Sequence, residues 1–314
     1  MQEANKLELH YFFNDNSHQI DALVRNKCEA ELLAIAYEAA VALEISLNIK
    51  SDIVAEGGFR DFWNFLGNNN NQISLILVVI TIIFSRVPMS DPEAETLENE
   101  LKKLSIEEKK LNIQKLKQEL EQNEFNPETI GKVTKVVDSN LKILKRKSNF
   151  YTHLSKYNKV TEVSFAAVND KYEAVFDERH VKSSEFRKFI LSTNKLRSEV
   201  DSEAIIQIVS PVLRETKHKW KGIYNEETIS FDMLDVQFRD EVLLEKHSFK
   251  HGSTIRCVLN VHRELDEVGD IKIKGYSVST VLEKIEGGVV YETMQGKSYR
   301  QASKFSKSQT DLFD

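Results

Sequence analysis

Several groups of residues in this chain have the types and spacing that chemistry requires. His10, Asp15, His18 and Asp21 surround the first strand-to-helix turn, where an acid can fix an imidazole tautomer and a helix N-terminus can hold an anion. Plain structure accounts for the same residues, because Asp15, Asn16 and Ser17 are ordinary capping residues and Asp21 suits a first helical turn. His247 and His251 have the i, i+4 spacing of two imidazoles sharing a metal on a helix, but Gly252 and a change from helix to strand place them in a loop without an HExxH glutamate. Glu264, Asp270 and Lys272 partly echo a nuclease site in which carboxylates hold Mg²⁺ and a lysine polarises water. Charges at the tip of a solvated hairpin make the same pattern. Gln295, Gly296, Lys297 and Ser298 suggest a phosphate-cradling loop, yet Tyr291 stands where that motif needs its first glycine. No GxSxG nucleophile motif occurs. No catalytic residue, metal ligand or cofactor is therefore assigned, and a metal-dependent hydrolase or nuclease is the least favoured function.

Contact residues carry a stronger signal. Residues 73–84 contain no charge and only two hydroxyls, Ser74 and Thr81. As a helix this run rises about 18 Å against a hydrocarbon core of about 30 Å, so it reads as a short span, a dip into one leaflet, or a helix buried in protein. Phe59, Phe62, Trp63 and Leu66 precede it at i, i+3, i+4 and i+7. An interfacial aromatic helix followed by an inserted one is the membrane reading; two core helices are the other. The membrane or oligomer contacts expected are Phe59, Phe62, Trp63, Leu66, Leu75, Leu77, Val79, Ile82 and Phe84. Residues 126–159 hold eight Lys/Arg against two Asp/Glu in a chain of net charge −6. Within them Lys142, Lys145, Arg146 and Lys147 are candidate contacts for phosphate, anionic lipid or a partner, as is Trp220 among its flanking lysines. A solvated face paired with the acids of the preceding helix is the alternative.

The elements that must position these groups follow from periodicity. Alternation over 7–13, apolar steps of three and four from Ile20 to Leu43, and alternation again at Ile45, Leu47 and Ile49 predict a small β-α-β unit over 1–58 whose two strands are parallel neighbours. Residues 59–90 hold the aromatic stripe and hydrophobic helix. Leu97, Leu101, Leu104 and Leu111, then Ile130, Val133, Val137, Leu141 and Leu144, predict two long helices broken near Pro127, a helical hairpin or stalk over 91–159. From about Val160 the chain turns β-rich, and 160–300 reads as an α+β domain whose strands include 204–213, 220–224, 228–233, 253–265 and 271–285. A disordered tail is expected over 301–314. The fold class expected is thus α+β: a β-α-β unit, a hydrophobic helix, a long antiparallel helical hairpin and a C-terminal β-rich domain.

Cys28 and Cys257 lie far apart without CxxC or Cys/His spacing, which excludes a zinc motif or disulfide framework and points to a reducing compartment. No secretory signal precedes the first strand. The expected location is the cytoplasmic face of an inner membrane, or the cytoplasm. The layout loosely resembles that of membrane-linked bacterial sensor or effector proteins, including ones of antiviral defence systems; this resemblance implies a self-associating, non-catalytic effector. The alternative is a soluble nucleic-acid-associated protein using the basic helix. A homo-oligomer is the partner expected, with a membrane, a nucleic acid or an anionic ligand as further candidates.

Overall fold

Leu7, Leu9 and Tyr11 alternate with Lys6, Glu8 and His10 along strand β1 (Lys6–Phe13), which turns the three apolar side chains into a core. Asp21 then starts helix α1 (Ala22–Ala42): its carboxylate accepts from the N–H groups of Leu23 at 2.9 Å and Val24 at 3.0 Å. The buried line of α1 is Cys28, Leu32, Ile35, Ala36 and Ala39. In this computed structural model the described residues are 3–15, 19–52, 60–87, 127–213 and 218–310. They fall into two compact units, Met1–Thr193 with Glu267–Asp270, and Asn194–Asp266 with Ile271–Asp314.

In the first unit β2 (Asn48–Asp52), β3 (Arg60–Leu66), β1, β4 (Val160–Val168) and β5 (Arg179–Lys182) form one sheet in the order β2-β3-β1-β4-β5, every neighbouring pair antiparallel. Among the described residues the chain order is strand, helix, two strands, three helices and strand, and with this pairing β1 to β4 form the split β-α-β arrangement, to which β5 is added at the edge. β3 therefore lies between β1 and β2, and the parallel pairing expected of those two is corrected. The reason is that Phe62 and Trp63 stand on a strand, where consecutive residues face opposite ways. Asp61, Trp63 and Phe65 point to the helices, with Asp61 paired to Arg25 at 2.6 Å and Trp63 Nε1 donating to Glu29 at 3.0 Å.

Helix α2 (Asn70–Ser85) is capped by Asn69 and is apolar on all sides because it is covered on all sides. Helices α3 (Pro127–Asp138) and α4 (Leu141–Ser155) and a 3-10 helix (Ser183–Phe189) complete the unit. The long antiparallel hairpin is a second correction. Residues 91–122 lie outside the described residues, and what was read as the second arm breaks at Ser139 and Asn140. There Asn140 Oδ1 accepts from Lys142 N at 2.9 Å and starts a new helix.

The second unit is built on a closed barrel. β6 (Lys195–Ser210), β7 (Trp220–Tyr224) and β8 (Glu227–Met233) run as an antiparallel meander, helix α5 (Val236–Leu243) follows, and β9 (Thr254–Leu265) and β10 (Ile271–Glu286) form a long hairpin. β10 pairs parallel to β8, and β9 pairs antiparallel to β6, which closes the ring. This is the connectivity of the five-stranded Greek-key barrel called the OB-fold. Register shifts in β6 and β10 let each strand bend and serve two neighbours. Gly222 is required where β7 crosses β6, since a Cβ there would run into the Ile206 side chain and Gln207 O. Ile206, Trp220, Phe231, Phe238, Ile255, Leu259 and Val281 fill the interior. β11 (Val289–Glu292) extends β10 outside the ring, and α6 (Met294–Thr310) occupies most of the stretch expected to be a disordered tail. The fold is thus mixed α/β with two sheets, one of them closed, in place of the architecture expected.

Candidate functional site

The residues expected to meet lipid or a second copy lie in the first unit's own core. Leu75, Leu77, Val79 and Phe84 have no exposed surface, Ile82 packs partly buried against the same cluster, and Phe84 stacks on Phe165 with ring centroids 4.6 Å apart. Trp63 is buried among them, Phe62 is buried against Ala166 and Val168 on the opposite sheet face, and Leu66 is exposed at the strand end. Phe59 lies outside the described residues. No helix among the described residues is long and apolar enough to cross a membrane.

The basic helix is neutralised from within. Lys147 is 1% exposed: its Nζ donates to Ile83 O and Arg86 O, both at 3.2 Å, and stands 3.8 Å from Asp138. A cation at the end of α2, where helix carbonyls lack partners, is favourable. Burial pulls the Lys147 ammonium below its usual range, and burial pushes the Asp138 carboxyl up. Arg146 pairs with Glu31 at 3.1 Å, Lys142 with Glu38 and Asp270, and Lys145 is nearly buried. Lys142, Arg146 and Lys147 are thus each paired to acids within the first unit. Trp220 is 1% exposed inside the barrel, edge-on to Phe249 at 5.5 Å.

The other motifs disperse. Asp15 pairs with Lys159 at 3.1 Å, Asp21 caps α1, and His18 lies outside the described residues. Lys274 pairs with Glu264 and Lys272 with Asp266, so charges along the β9–β10 hairpin satisfy one another. Gly296 sits against the backbone of Leu282 where no Cβ fits, and Gln295 donates to Asp235. No group of His, Cys, Asp and Glu among the described residues is placed to hold a metal. His10 instead joins the face of the first sheet opposite the described helices, where Glu8 pairs with Arg60 at 3.1 Å and His180 with Glu162 at 2.6 Å. Burial, then the charge of Arg60, lowers the His10 pKa, and burial raises that of Glu8.

The barrel carries a cleft that sequence reasoning missed. Along β6, Ala204, Ile206 and Ile208 face inward, so Ile205, Gln207 and Val209 face out. Ile205, Val209 and Leu213 are 53%, 57% and 63% exposed, an unusual apolar line for the outside of a barrel. Val209, Pro211, Leu213 and Ile223 form one wall of a cleft of about 940 Å³, and the turn from His247 to Gly252 forms the other. His247 fixes that turn, held by Glu241 at 3.0 Å and stacked on Phe238. Lys250 reaches Glu286 at 3.2 Å; the Lys284 ammonium, then Lys250, holds the Glu286 carboxyl down to about 2. The Gln207 amide and the His251 ring make no side-chain hydrogen bond or ion pair among the described residues. The available signal was the alternation Ile205, Gln207, Val209, Pro211, Leu213, legible only once the inward register is known.

No protein-family model, curated protein or solved structure matches this chain.

Proposed function

We propose that this chain is a non-catalytic binding protein whose barrel receives its ligand in the cleft between the outer face of β6 and β7 and the turn after α5. One observation carries this reading: exposed apolar side chains stand in line on β6 beside a glutamine amide and an imidazole whose side chains make no hydrogen bond or ion pair among the described residues. A cleft of about 940 Å³ is within the range of sites that enclose small ligands or single chain segments. Apolar walls supply affinity, and a few polar groups fix orientation. The side chains of residues 73–84 are used as core, which favours the barrel cleft over that run as the contact site. Two buried free thiols, Cys28 and Cys257, agree with a reducing, cytoplasmic setting.

Nile red, whose emission rises in apolar surroundings, tests the cleft directly. The full chain is expected to enhance its fluorescence saturably, and Val209→Glu, on an exposed position, to abolish the enhancement while leaving the circular dichroism spectrum unchanged. No saturable enhancement, or an equal one in Val209→Glu, contradicts the reading.

A further inference from the structure

We infer that the ligand of this cleft is a single-stranded nucleic acid, which crosses the outer face of β7 and places a base between the apolar walls. The inference rests on the cleft being a ligand site and adds the ligand's chemistry. On β7 the residues that share the outer face with Ile223 are Lys221 and, just before the strand, Lys219. Alternate residues on a strand are about 6.6 Å apart, so these side chains form a straight track ending at the cleft wall. Across from them on β8 lie Ser230, opposite Lys221, and Thr228, opposite Ile223, both exposed hydroxyls. Lys219 is held by Asp232 at 3.0 Å, whereas exposed Lys221 makes no ion pair among the described residues. Lys250 and His251 stand at the far rim.

Each part suits one piece of a nucleotide. The Lys221 ammonium meets a phosphate, hydroxyls meet sugar or phosphate oxygens, the apolar walls take the flat faces of a base, and the Gln207 amide offers a donor and an acceptor to a base edge. An extended peptide fits less well. β6 is paired on both sides, to β7 and β9, and β7 is paired to β6 and β8, so no open strand edge is present along the track to hydrogen-bond a peptide backbone. A duplex fits less well too, since it requires a broad basic surface and this chain carries a net charge of −6.

The test is fluorescence anisotropy of the full chain with fluorescein-labelled mixed-sequence DNA and RNA single strands, and with a duplex, over a range of salt concentrations. Single strands are expected to bind more tightly than the duplex and to displace Nile red. Lys221→Gln is expected to flatten the plot of log affinity against log salt by about 0.7, the value of one phosphate contact. Val209→Glu is expected to weaken single-strand binding at least tenfold. If Nile red binds the cleft and no single strand does, the ligand class is overturned and the cleft reading stands. If neither binds, both fall. If strands bind but Lys221→Gln and Val209→Glu leave affinity and salt slope unchanged, or if the duplex binds equally well, the inference is overturned. Thermal melting of each variant confirms that the exposed substitutions leave the fold intact.

Discussion

The two units bury their sheets in different ways, and the difference decides what an apolar residue means in each. In the first unit the sheet is open, so one face must be covered by helices; α2 is the innermost and can be apolar all round. There a long apolar run is filling. In the second unit the sheet closes on itself and encloses Trp220, Phe231 and Phe238, so no helical layer is needed over the outside of β6 and β7. There Ile205, Val209 and Leu213 are left over from the core, and being left over is what points to a ligand. The most hydrophobic segment is the least informative about function, and a scattered line of surface residues is the most.

Substitutions in the two cores put the largest numbers on this contrast. Trp63 and Trp220 lie one in each unit, so single-tryptophan variants report them separately during urea unfolding. Phe231→Ala, followed through Trp220, is expected to cost about 3–5 kcal/mol, and Leu77→Ala, followed through Trp63, about 2–5 kcal/mol. Val209→Ser on the outer face is expected to change stability by no more than about 0.5 kcal/mol. A Leu77→Ala variant as stable as the parent would show that α2 is not core.

Lys147 sharpens the contrast at one site. Replacing it with Met leaves the last carbonyls of α2 without their cation and Asp138 with only Arg86, at 3.7 Å, an expected loss of about 3 kcal/mol by urea unfolding. Exposed Lys135→Met on the preceding helix is expected to give no measurable change. Equal small effects would mean that the basic residues form a solvated face after all.

The smallest effect concerns the face of the first sheet opposite the described helices. His10 has a folded pKa below its ordinary 6.5, chiefly from burial. As pH falls through about 6.5 the unfolded chain takes up this proton first, so stability falls, and the loss levels off once His10 is protonated in the fold as well. His153 contributes in the same direction and Glu8 in the opposite one. Comparison with His10→Gln subtracts both: the urea midpoint of the parent is expected to fall more steeply than that of the variant between about pH 7.5 and 5.5. Parallel curves would contradict the His10 assignment.

Local signals in the sequence were read correctly where the structure they specify is local. The strands expected at 220–224 and 228–233 are present as β7 and β8, and the structure joins them through Asn225 and Glu226, both of which adopt positive φ. The α1 stripe followed from its spacing. β3 did not, because Phe59, Phe62, Trp63 and Leu66 satisfy a helical period while Asp61, Trp63 and Phe65 satisfy a strand period. The winner is set by pairing with β1 and by the Arg25–Asp61 ion pair, both distant in sequence. Barrel closure was hidden for the same reason: β10 lies parallel to β8 after a helix and another strand have intervened. Composition likewise does not reveal that Lys147 caps a helix from outside that helix. The cleft stayed invisible until β6 had an inside.

Amide hydrogen exchange of the full chain with and without a saturating single-stranded oligonucleotide tests the central claim most directly, because it views the barrel and the basic helix together. The expected result is slower exchange in 205–213, 219–223 and 247–252, with helix Leu141–Ser155 unchanged. Slowing confined to Leu141–Ser155, or no slowing in any of the barrel segments, would contradict it.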